Sequence, residues 1–92
     1  MSESLLQPDG EKECYLTGCQ NGLDKHHIFH GTANRRLSEQ WGCWVWLKHD
    51  LHMQLHSKDK RLDRRLQEDC QRAFEQKYSR EEFIRIFGKN YL

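Results

Sequence analysis

The chain has no apolar run long enough to serve as a signal peptide or to cross a bilayer. The expectation is therefore a cytoplasmic protein with no membrane partner. It has little surplus charge. A formal net charge of +1 gives its bulk electrostatics no preference for nucleic acid over other partners. It is also poor in apolar residues, at 36% hydrophobic against 32% charged, which limits it to a thin core. There is no internal repeat, no low-complexity tract and no C-x2-C pair. Ninety-two residues make one small domain, of the size that leans on a metal, disulfides or a partner for stability. Three tryptophans, four phenylalanines and three tyrosines partly compensate, because each aromatic ring buries a large area. In a reducing compartment the four cysteines read as free thiols or metal ligands rather than as disulfides.

Charge is distributed unevenly. Residues 1–13 hold Glu3, Asp9, Glu11 and Glu13 against Lys12 alone. Further on, Lys58, Lys60, Arg61, Arg64 and Arg65 outnumber Asp59 and Asp63, and Arg35-Arg36 form a second basic cluster. Clustered basic residues are an electrostatic footprint for phosphate; a solvated helix face is the competing reading of the Lys58–Arg65 run.

Polarity and the Pro8-Asp9-Gly10 turn mark residues 1–12 as a flexible N-terminal tail, leaving 13–92 as the domain. Cys14 to Gly22, with Gly18, Asn21 and Gly22, suits a tight loop or knuckle. Lys25 to Phe29 reads as a short strand, and Cys43 to Leu47, rich in aromatic and branched residues, as a second. Between them Ala33–Gln40 is a loop or one short helix, broken by Gly42. Asp50–Ser57 carries Leu51, Leu55, His52 and His56 at helical spacing. Leu62, Leu66, Cys70, Phe74 and Tyr78 recur every four residues, giving an amphipathic helix over about 59–78. Ser79 and Glu82 have capping-box spacing before a last helix bearing Phe83, Ile84, Ile86 and Phe87, which Gly88 ends. The expected fold is α+β: a two-stranded antiparallel ribbon and one helix over about 14–56, then two packing helices over about 59–92.

All six histidines fall between His26 and His56. His26-His27 lie on the first strand and His52-x3-His56 on the following helix, with the second strand between. Neutral imidazole is a common ligand for zinc, nickel and similar ions, and a catalytic site usually has three protein ligands and an open position. His26, His52 and His56 supply three. His27 points away from His26 on a regular strand, but at a strand end both rings can line one cleft from different sides. His27 then stays off the metal and serves as general base. The ion, whether magnesium, manganese, nickel or zinc, polarises a phosphate oxygen and stabilises charge on the leaving oxygen.

These residues resemble the HNH, or His-Me finger (ββα-metal), endonuclease family. K-H-H-I-F-H-G, residues 25–31, looks like its first strand and turn, and W-V-W-L-K-H-D-L-H-M-Q-L-H, residues 44–56, like its second strand and metal-binding helix. The spacing is similar to that of colicin-type nuclease domains. G-T-A-N-R-R-L-S-E and E-F-I-R-I-F-G-K-N-Y-L also look like parts of small phage-encoded HNH-type proteins, for which the compartment is the host cytoplasm. The resemblance implies His26, His52 and His56 as metal ligands and His27 as the base. The family's base-orienting asparagine falls at Cys43 here, so Cys43, Asn34 and a backbone carbonyl are alternative supports. His49 is a spare ligand or phosphate contact, and His30 a turn residue or phosphate contact. Thr17 and Lys48 stand where paired zinc knuckles would place cysteines. A second, structural zinc at Cys14 and Cys19 is therefore disfavoured, with Cys14 read as a small packed hydrophobe. Trp41, Trp44 and Trp46 are candidates for stacking on bases, with Trp44 or Trp46 alternatively in the core.

The leading functional expectation is a metal-dependent endonuclease acting on DNA in preference to RNA. Arg35, Arg36, Lys58, Arg61, Arg64 and Arg65 would hold the phosphate backbone, contacts that carry little sequence information. A homodimer would suit double-strand cutting. The alternative is an HNH-like phage protein with weakened catalysis that binds and inhibits a host nuclease or defence complex. A zinc-finger reading fails on spacing, since Cys14/Cys19 and His52/His56 lie much further apart than the roughly twelve residues of a finger linker.

Overall fold

The computed structural model describes residues 3–8, 12–56 and 59–92, excepting the side chains of Thr32 and His56. Within these residues the fold is α+β. β1 (Leu23–His27) and β2 (Trp44–Lys48) form an antiparallel ribbon, and α1 (Thr32–Trp41) fills the connection between them. Then come α2 (His49–His56), α3 (Lys60–Lys77) and α4 (Arg80–Phe87). The α+β ribbon-and-helix layout expected from sequence is present.

β1 begins and ends two residues earlier than the hydrophobic run implied, because Ile28 and Phe29 leave the ribbon as a bend. Both are fully buried. The Phe29 ring packs at 5.4 Å from Phe83, 4.6 Å from Phe87 and 4.9 Å from Tyr91. The residues just after the histidine pair are thus an anchor into the core rather than the end of a strand.

The register sets His26 opposite Val45 and His27 opposite Trp44. Side chains alternate across a strand, so Asp24, His26, Val45 and Leu47 share one face, and Lys25, His27, Trp44 and Trp46 the other. Val45 and Leu47 are fully buried and join Leu66, Cys70 and Phe74 of α3 and Phe83 and Phe87 of α4. Trp44 and Trp46 are half-buried outside this core, edge to face at 5.7 Å. Lys25 Nζ lies 4.1 Å from the Trp44 ring centroid and Lys12 Nζ 4.6 Å from that of Trp46.

Local chemistry explains the helix ends. Gly42 closes α1 at φ 76°, donating its N–H to Ser38 O, as a left-handed C-terminal glycine does. Asp59 accepts from Leu62 N at the start of α3, and Ser79 from Glu82 N at the start of α4. The capping box is half made: the Glu82 carboxylate pairs with Arg85 at 2.7 Å. On the α3 stripe, Leu66, Cys70 and Phe74 are buried while Tyr78 is exposed.

The N-terminal stretch read as a loose tail is held against β2 over residues 3–8. Leu5 N donates to Gly42 O, buried Ser4 Oγ to Trp44 O, and Trp46 N to Gln7 Oε1. Covering the second edge of β2 satisfies backbone groups that would otherwise face solvent. Residues 1–2 and 9–11, including most of the Pro8-Asp9-Gly10 turn, lie outside the described residues. In the knuckle, Cys14 Sγ is buried and accepts the Lys48 N–H at 3.4 Å, while Cys19 Sγ lies 3.6 Å from Asn21 O.

Candidate metal centre and cleft

At the end of β1 the ribbon opens into a cleft of about 420 Å³ lined by His26, His27, His30, His52, Lys25 and Arg35. His26 is only 3% exposed. Its Nε2 is buried without a hydrogen-bond partner among the described residues. Leaving such a nitrogen unpaired costs roughly 1–3 kcal/mol, a cost that a water or an ion in the cleft would remove. Burial pushes the His26 pKa down to about 4, and the neighbouring His52 and His30 rings act in the same direction. The ring is neutral at pH 7, which is the form that donates a lone pair to a metal.

Two flanks surround His26. On one, the His30 ring centroid is 5.5 Å away, and His30 Nε2 lies 2.9 Å from Asp63 Oδ1 on α3. That hydrogen bond raises the His30 pKa against the opposing effect of burial. On the other, the His52 ring of α2 is 5.2 Å from His26. His52 Nδ1 lies 3.0 Å from Asp24 Oδ2, and His49 Nδ1 lies 2.7 Å from the same oxygen. The contacts with His52 and then His49 lower the Asp24 pKa. A carboxylate that accepts an Nδ1–H leaves the lone pair of a neutral imidazole on Nε2, the arrangement used to orient metal-binding histidines.

His26, His30 and Asp63 each offer a ligand atom, all within 4.8 Å of one another. Two imidazoles and a carboxylate suit zinc, nickel or manganese. The residues therefore fit a divalent ion, with the orphaned His26 nitrogen as the strongest sign. Of the ligand set expected from sequence, His26 and His52 come together. The His56 side chain lies outside the described residues, although its backbone ends α2. His30, expected only as a turn or phosphate contact, and Asp63, not expected at all, are the residues that with His26 could hold an ion. His49, the spare candidate, is 67% exposed and paired with Asp24.

His27 approaches the same cleft from the opposite strand face. Its Nε2 is 3.1 Å from Glu39 Oε1 on α1. Both Glu39 oxygens also accept from Lys25 Nζ, at 2.8 and 2.9 Å. The bond from Lys25 is the main cause of a lowered Glu39 pKa; the bond to His27 acts in the same direction. Cys43, considered from sequence as a support for the base, is not one. Its thiol is fully buried and contacts Cys70, while its carbonyl accepts from Ile28 N. Asn34 is half-buried on α1.

The expected phosphate contacts separate. Arg35 lines the cleft. Arg36 and Arg61 are exposed on α1 and α3. Arg64 pairs with Glu68 at 2.9 Å, and Arg65 lies 3.8 Å from Asp69. Lys58 lies outside the described residues. Asp24 had a sequence signal, because it sits two residues before His26 on the same strand face. Glu39 and Asp63 had none, being brought in from other helices. No protein-family model, curated protein or solved structure matches this chain.

Proposed function

We propose that the chain is a metal-dependent endonuclease hydrolysing phosphodiester bonds, with DNA as the first substrate to test. The observation that carries this is the buried, unpartnered Nε2 of His26 on a cleft shared with His27, His30, His52 and Arg35. The ion's ligands are drawn from His26, His30 and Asp63 on one flank and His52 on the other, with His56 kept as a ligand candidate from the sequence alone. A divalent ion bound there would supply Lewis-acid stabilisation of the phosphate and the leaving oxygen. His27 takes the proton from the attacking water, as an imidazole suits near neutral pH. Arg35 holds a non-bridging phosphate oxygen.

The test is plasmid nicking by the purified protein with magnesium, manganese, nickel or zinc, with EDTA, and beside His27→Ala. Metal-dependent nicking that disappears in His27→Ala is expected. Nicking that survives the substitution removes His27 from the mechanism. The pairing of Arg64 and Arg65 with acidic neighbours favours a second reading: a catalytically weak module that binds and blocks a nuclease or defence complex. Metal binding by a folded protein that cuts no nucleic acid would move the assignment there.

A further inference from the structure

We infer that Glu39 is the positioning residue for His27. Its Oε1 accepts the Nε2–H of the imidazole and so leaves the Nδ1 lone pair for the attacking water. This rests on the endonuclease reading above. Lone-pair placement decides whether a neutral histidine can act as a base, because one ring nitrogen carries the proton and the other accepts. The 3.1 Å contact between His27 and Glu39 gives Nε2 an acceptor. Of the supports expected from sequence, the Cys43 thiol is in the core, and its carbonyl already receives Ile28 N.

Lys25 makes the arrangement compatible with an anionic substrate. A bare carboxylate beside a phosphate cleft would repel it. Here Lys25, two residues before His27 on the same strand face, holds both carboxylate oxygens and is itself seated over Trp44. Lys25, Glu39 and His27 form a chain across β1 and α1 that fixes the ring while balancing local charge.

The experiment compares wild type, Glu39→Ala and Glu39→Gln for plasmid cleavage with manganese and for manganese binding by calorimetry. It also records the ring N–H resonances of the histidines in nitrogen-15-labelled protein. Glu39→Ala is expected to lower kcat about 10- to 100-fold, on the scale of losing the partner that orients a metal-bound histidine. KM and manganese affinity should be unchanged. Glu39→Gln, whose amide oxygen accepts the same N–H, should keep most of the rate. A His27 ring N–H resonance protected from exchange is expected in wild type and Glu39→Gln and should be lost in Glu39→Ala. Unchanged kcat in Glu39→Ala, a loss confined to KM, or equal impairment in Glu39→Gln each overturns the inference. If wild type cuts nothing with any metal, the endonuclease reading fails, and the ring-proton comparison still decides whether Glu39 holds His27.

Discussion

His26 and His27 are consecutive in sequence yet reach one cleft from opposite faces of β1. His26 is sunk against the core with an unpartnered nitrogen, while His27 is tied outward to Glu39. Adjacent imidazoles thereby acquire different chemistry: one is suited to donate a lone pair to an ion and the other to accept a proton.

The depressed His26 pKa has a consequence for stability. The folded state resists protonation until about pH 4, whereas an unfolded histidine protonates near 6.5. The unfolded chain therefore binds more protons between these values, and stability falls as the pH drops from 6.5 towards 4, by roughly 3 kcal/mol at most. His30 works the other way: Asp63 raises its pKa, so its contribution is present at low pH and fades as the pH rises through the raised value. Urea unfolding of the metal-free protein from pH 7 to pH 4 should show the net loss, and His26→Gln should flatten it. An unchanged slope in His26→Gln would assign the acid sensitivity to other groups.

The two flanks of His26 can be separated by metal titration. His26→Ala should abolish binding. Asp63→Asn should weaken it severalfold or more if the ion uses the α3 flank. Asp24→Ala, which removes the acceptor for His52 and His49, should weaken it about 10- to 100-fold if the ion uses the α2 flank. Calorimetry with zinc and manganese reads both, and added zinc should raise Tm in every variant that still binds.

Gly42 is the point where α1, β2 and the N-terminal segment meet. At φ +76°, an added Cβ would come within 2.2 Å of Glu3 O and 3.3 Å of Leu5 N. Gly42→Ala should cost about 1–3 kcal/mol from the left-handed backbone alone and should loosen residues 3–8 from β2. Limited proteolysis should then cut in the N-terminal segment well before the rest of the domain. Wild-type resistance at that site in the variant would show the contact can relax.

Arg35 and Arg64 are both arginines on exposed helices, with different expected effects. Arg35 lines the cleft, so Arg35→Ala should weaken DNA binding across sequences and reduce the slope of log K against log salt by about one unit. Arg64 pairs with Glu68, and Arg64→Ala should change affinity little. Fluorescence anisotropy at several salt concentrations distinguishes them, and equal effects would argue for a diffuse basic surface.

The sequence alone determined the elements whose signals are local. The four-residue recurrence of Leu66, Cys70 and Phe74 set the buried face of α3. Ser79 and Gly88 set the ends of α4, and the aromatic and branched run after Gly42 set β2. It also determined that His26 and His27 must part across a strand, since alternation follows from backbone geometry. Only the tertiary structure decided that Glu39 from α1 holds His27, that Asp63 from α3 joins His26 and His30, and that Cys43 belongs to the core. Each of these depends on how separate elements pack. Contacts between residues far apart in sequence leave no periodic trace in the chain, and carboxylates that pair with histidine look like any other acidic residues on a polar helix face.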